Sequence, residues 1–145
     1  MTKNFCAEAE QTLIDTVQDL AWLHRNEIKH EIVLGLGNHK TDELIEARYK
    51  KGHIVAGYFA PHWCMDNDKH LIVFNELALD EDFVTEESGR FFYGQYEVEP
   101  YDAQKALAAH EFAHLLIDER DIKQTDSHDN EFESILIDLL DELDI

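Results

Sequence analysis

Ala109-His110-Glu111-Phe112-Ala113-His114-Leu115 lies inside an alanine-rich run, residues 103–117, that strongly favours helix. Histidines four positions apart stand about one turn apart on a helix, so His110 and His114 project from one face and can hold one Zn2+. Glu111 falls one step round the helix, within reach of a metal-activated water but not itself a ligand. Zn2+ lowers the pKa of such a water toward neutrality, and the carboxylate takes its proton during attack on a carbonyl. The bland alternative is a surface helix carrying two half-exposed histidines. Leu107, Phe112, Leu115 and Leu116 argue against it, because they flank the pair as a buried active-site helix requires.

A catalytic zinc site needs a third protein ligand and an open fourth position. The metzincin spacing would put that ligand at Arg120 and a glycine at Ile117, which excludes the class. A glutamate on a following helix is the gluzincin solution, and Glu133 is the best placed. His128 is the other candidate, in Thr125-Asp126-Ser127-His128-Asp129-Asn130-Glu131-Phe132. It stands at the start of the last predicted helix, where its ring can face back toward the metal while Phe132, one turn later, enters the core. Glu131 and Glu133 fall off the apolar stripe, so His128 is preferred.

Outward from this segment, residues 4–29 read as one long helix with Phe5, Ala9, Leu13, Val17, Leu20 and His24 at three- and four-residue steps. Residues 31–36, 52–60 and 69–75 read as strands, with a hairpin turn at Asp66-Asn67-Asp68. Residues 41–50 fit either strand or helix. Residues 80–99 are acid-rich and broken by glycines, and irregular structure is expected there. Asp102 is a candidate N-cap for the metal helix, and Ser127 or Asp129 for a final helix over 129–143. A chain of 145 residues built this way reads as one α+β domain.

His110-Glu111-x-x-His114 followed by His128-x-x-x-Phe132 resembles the SprT-like zinc metallopeptidases, whose signature pairs HExxH with a downstream His-Gly-x-x-Phe. Upstream, Ala56-Gly57-Tyr58-Phe59 and Leu71-Ile72-Val73-Phe74-Asn75-Glu76-Leu77-Ala78 are similar to that family's Gly-Tyr strand and the Ile/Leu-rich strand after it. The resemblance spans roughly residues 5–140. It implies a zincin-like domain over 1–145: an N-terminal helix, a small three- to four-stranded sheet, the metal helix and a C-terminal supporting helix. It also implies one Zn2+ per chain on His110, His114 and His128, with Glu111 as the general base of peptide hydrolysis. Asp129 stands where the family has glycine, and the family's zinc-ribbon cysteines have no counterpart, Cys6 and Cys64 being the only two.

The formal charge of −20 narrows the partners. Residues 1–75 carry −3 and residues 76–145 carry −17. Nucleic-acid affinity rests on Lys and Arg displacing counterions, so direct binding to DNA or RNA is not expected. Arg48, Lys50 and Lys51 form a small basic cluster, read as a solvated strand edge. A protein or peptide substrate is the expected partner, and the acidic half would attract basic ones, DNA-associated proteins among them. The rival reading is a non-catalytic acidic protein that mimics nucleic acid on a degenerate zincin fold.

The early charges exclude a signal-peptide core, and Ile54–Pro61 is far shorter than the roughly 20 apolar residues of a membrane span. A soluble, cytoplasmic protein is the expectation. Leu71–Phe74 is a candidate edge strand for pairing an extended substrate. Tyr93, Tyr96 and Tyr101 are weaker candidates for an oxyanion donor. Gly35-Leu36-Gly37 lacks the third glycine of a dinucleotide fingerprint. Trp22 and Trp63 read as core residues, and His24, His30, His39, His53, His62 and His70 show no paired spacing.

Overall fold

Ala9, Leu13, Val17 and Leu20 are all buried, so one stripe of helix α1 (Thr2–Leu23) faces the core. The computed structural model describes residues 2–80, 83 and 102–145. α1 ends six residues before the predicted limit of 29. Leu20 is its last fully buried side chain, whereas Trp22 and Leu23 are exposed and offer no apolar face to extend. The next residues form turns, and the His24 ring bridges Glu27 at 2.8 Å and Glu142 at 2.7 Å.

Strands β1 (Ile32–Gly37), β2 (Gly57–Ala60) and β3 (His70–Asn75) form one mixed sheet in the order β1-β3-β2. β1 runs parallel to β3, and β2 antiparallel to it. β3 is therefore central, and its continuous buried run Ile72-Val73-Phe74-Asn75 suits that position. This corrects the expectation that Leu71–Phe74 is an edge: both sides of β3 are already paired. Among the described residues the edges are β1 and β2.

The predicted strand over 52–60 shortens to β2, because Asn75 captures the preceding backbone. Its amide nitrogen donates to the Ala56 carbonyl at 2.8 Å, and its Nδ2 to that of Val55 at 2.9 Å. The ambiguous 41–50 segment is helix α2 (Glu43–Lys50). Asp42 decides it, accepting from Leu44 and Ile45 backbone N–H, each at 3.0 Å. The turn before β3 forms as expected, with Asp68 at φ 56° and the Asn67 side chain accepting from Lys69 N–H.

Helix α3 (Ala103–Glu119) is the centre of the fold and packs against α1, β2 and α4 (Asn130–Glu142). Ala103, Ala106, Ala108, Ala109 and Ala113 are all buried, and their small side chains let three neighbours approach closely. Asp102 occupies the N-cap position of α3 without a side-chain capping bond. α4 matches its predicted span closely, burying Phe132, Ile135, Leu136, Leu139 and Leu140. The architecture is α+β, with four helices and a three-stranded sheet among the described residues. No helix there is long and apolar enough to cross a membrane. The acid-rich 81–99 segment, apart from residue 83, and all three tyrosine candidates lie outside the described residues. Trp22 and Trp63 are 64% and 68% exposed rather than core; Arg25 sits 3.9 Å over the Trp22 ring, while Trp63 donates to Asp118.

Candidate metal centre

Helix geometry brings His110 and His114 together, and the turn leading into α4 delivers His128 to them. The three rings surround one point, with pairwise centroid separations of 5.0–5.1 Å. One nitrogen from each lies within 4.8 Å of the others, and Nε2 of His110 and Nε2 of His128 are 3.3 Å apart. Ligands bound tetrahedrally at 2.0–2.1 Å stand about 3.4 Å from one another, so that spacing fits one ion. Glu133 is exposed on α4 and does not join the cluster.

Phe132 explains why an aromatic follows His128 by four residues. It stacks on His114 at 4.5 Å and meets His110 edge-on at 5.0 Å and His128 at 4.9 Å, making an apolar floor beneath all three. Asp129 caps α4. Its Oδ1 accepts from Phe132 N–H at 3.1 Å and its Oδ2 from Thr125 N–H at 3.0 Å. The Phe132 bond in particular holds the Asp129 carboxyl below its ordinary range. The cap thus fixes the turn that carries His128.

The cluster is graded in exposure: His110 is buried, His114 half-buried and His128 exposed, leaving a solvent side. Burial, with a smaller contribution from His128, lowers the His114 pKa to about 4. Burial also lowers that of His128. Both rings are therefore neutral at neutral pH, with lone pairs available to a cation.

Glu111 is 2% exposed, its Oε1 lies 3.9 Å from His110 Nε2, and its Oε2 has no hydrogen-bond partner among the described residues. Burial pushes its carboxyl up to about 8. A buried carboxylate with one oxygen unpaired among the described residues, beside three convergent histidines, fits a bound cation, whose charge would offset the cost of desolvating it. The donor set suits Zn2+ and other first-row divalent ions.

A second constellation arises where the sequence showed no paired spacing. His30, His62 and His70 meet Asp68, Asp118 and Glu119 at the far end of α3. Glu119 Oε1 accepts from His70 Nε2 at 2.6 Å and from His30 Nδ1 at 2.9 Å, and its Oε2 from Lys29 N–H at 2.8 Å. Burial opposes ionisation of Glu119, but these bonds together hold its carboxyl below the ordinary range. The only precursor of this grouping in the sequence is the abundance of histidine.

Compared with protein-family models, curated proteins and solved structures, the chain matches none.

Proposed function

We propose that this chain is a zinc-dependent metallopeptidase of the SprT-like, zincin-like kind, with His110, His114 and His128 as ligands and Glu111 as general base. The observation that carries the reading is the convergence of three histidines on one point, open on one side, beside a buried carboxylate whose Oε2 has no hydrogen-bond partner among the described residues. A bound Zn2+ would supply Lewis acidity and bring the pKa of water in the open position toward neutrality.

The chain's own residues then divide the work. The Glu111 carboxylate takes the proton of the attacking water and returns it to the leaving amine nitrogen as the C–O bond forms and the C–N bond breaks. Phe132 and the Asp129 cap hold the ligand rings in place. β2, an edge strand among the described residues and packed against α3, offers backbone groups for an extended peptide. The acidic surface favours basic protein substrates.

The test is hydrolysis of a basic protein such as a histone by zinc-loaded protein, beside Glu111→Gln. The expected result is zinc retained near one equivalent at this centre and turnover reduced by about 10^2–10^4-fold, the usual contribution of a general base. Undiminished turnover in the variant would remove Glu111 from the role. A wild-type chain that takes up no zinc here would favour the acidic binding protein instead.

A further inference from the structure

We propose a second divalent-cation site, formed by His62, Asp118 and Glu119, that clamps the C-terminal end of α3 to the short 3-10 turn His62–Cys64 following β2. It is independent of the metallopeptidase reading. One ligand atom from each of the three residues lies within 4.8 Å of the others, and His62 Nε2 stands 4.0 Å from Asp118 Oδ2. A four-coordinate ion holds its ligands about 3.4 Å apart, so small side-chain rotations close the site.

Each ligand is already oriented by an outer partner, as in metal centres. His62 Nδ1 donates to Asp68 Oδ1 at 2.7 Å, which fixes the proton on Nδ1 and leaves Nε2, facing Asp118, as the coordinating atom. Trp63 Nε1 donates to Asp118 Oδ1 at 2.8 Å and leaves Oδ2 toward His62. Glu119, whose side chain is 2% exposed, is held by His30, His70 and Lys29 N–H.

Hydrogen bonding separates ligands from supports. His70 Nδ1 accepts from His62 backbone N–H at 3.1 Å, so its proton is on Nε2, pointing at Glu119. Both nitrogens are occupied, and His70 is a positioning residue. His30 spends Nδ1 on Glu119 and lies flat on His62, with centroids 3.5 Å apart and planes 11° apart. Parallel rings cannot aim in-plane lone pairs at one ion, so His30 walls the site. The side chains of His62 and Asp118 are 21% and 19% exposed, which leaves a path for the ion. One imidazole and two carboxylates suit Zn2+, Mn2+, Fe2+ or Co2+.

Zn2+ is the probe. Protein is stripped with chelator, loaded with Zn2+, dialysed against metal-free buffer and analysed for metal as wild type, His128→Ala and Asp118→Asn. Asp118→Asn keeps the side-chain shape and an oxygen for Trp63. Two equivalents in wild type and one in each variant is the expected result, and Zn2+ should raise the Tm of His128→Ala. Adding Asp118→Asn to His128→Ala should abolish that rise. If only the reading of the first centre fails, wild type holds one equivalent that Asp118→Asn removes and His128→Ala does not. Zinc content unchanged by Asp118→Asn overturns the proposal, as does a wild type with no zinc. Should Asp118→Asn misfold by circular dichroism, His62→Gln replaces it with the same expectations.

Discussion

Helix α3 carries two histidine–carboxylate constellations, and they are built in opposite ways. Near its middle, two candidate ligands and the base candidate come from five consecutive residues, and only His128 arrives from elsewhere. At its C-terminal end, adjacent Asp118 and Glu119 gather His30 from the loop before β1, His62 from the 3-10 turn after β2 and His70 from the start of β3. The first is a local motif completed by one long-range contact, and the second is long-range almost throughout. Their polar chemistry differs as well. Glu111 is buried and has no partner on Oε2 among the described residues, whereas the equally enclosed side chain of Glu119 is bonded on both oxygens. A buried carboxylate oxygen left unpaired is costly and marks a position reserved for chemistry, while bonds on both oxygens hold a carboxylate in a fixed orientation.

Four experiments bear on that contrast, in descending order of effect. Phe112→Ala, a fully buried side chain between His110 and His114 of α3, should destabilise the fold by about 3–5 kcal/mol in denaturant unfolding. A much smaller loss would mean that the middle of α3 is not core. His128→Ala should weaken zinc binding at the first centre by more than 100-fold, beyond what loss of an outer-shell partner costs. It should leave the thermal stability of the metal-free protein nearly unchanged, because His128 is exposed.

The third experiment concerns pH. In metal-free protein, folded Glu111 keeps its proton up to about 8, whereas the unfolded chain releases it near the ordinary value of 4.5. The folded state thus binds more protons between these values, and stability falls as pH rises through the window, by at most about 1.4 kcal/mol per pH unit. Glu111→Gln should flatten that slope, and an unchanged slope would show that Glu111 is ionised in the folded chain. Smallest is Asp129→Ala, which should cost about 1 kcal/mol through loss of the α4 cap. Its zinc affinity should fall less than in His128→Ala. Equal losses would make the cap as important as the ligand it supports.

How far the chain could be read from its sequence follows the same divide. α3 and α4 were legible because alanine content and an apolar stripe of helical period act over neighbouring residues. The Asp42 cap was also present in the sequence, and weighing it would have settled α2 as a helix. Strand order was not legible: the sequence of β3 is apolar enough for either position, and only its pairing with both β1 and β2 makes it central. Trp63 shows the limit most sharply. An indole reads as core by hydrophobicity, yet this one is 68% exposed and uses its N–H on Asp118.

By itself, the sequence determined that His110 and His114 share a helix face with Glu111 beside them, since a four-residue step is one turn of any α-helix. It also determined that Asp129 can begin a helix, because a short side-chain acceptor caps whatever helix follows it. Only the tertiary structure decided that His128, not Glu133, meets that pair, and that Glu119 gathers His30 and His70 from up to 89 positions away. Those meetings depend on how α3 packs against α4 and the sheet, and packing is a property of whole surfaces that no local spacing encodes.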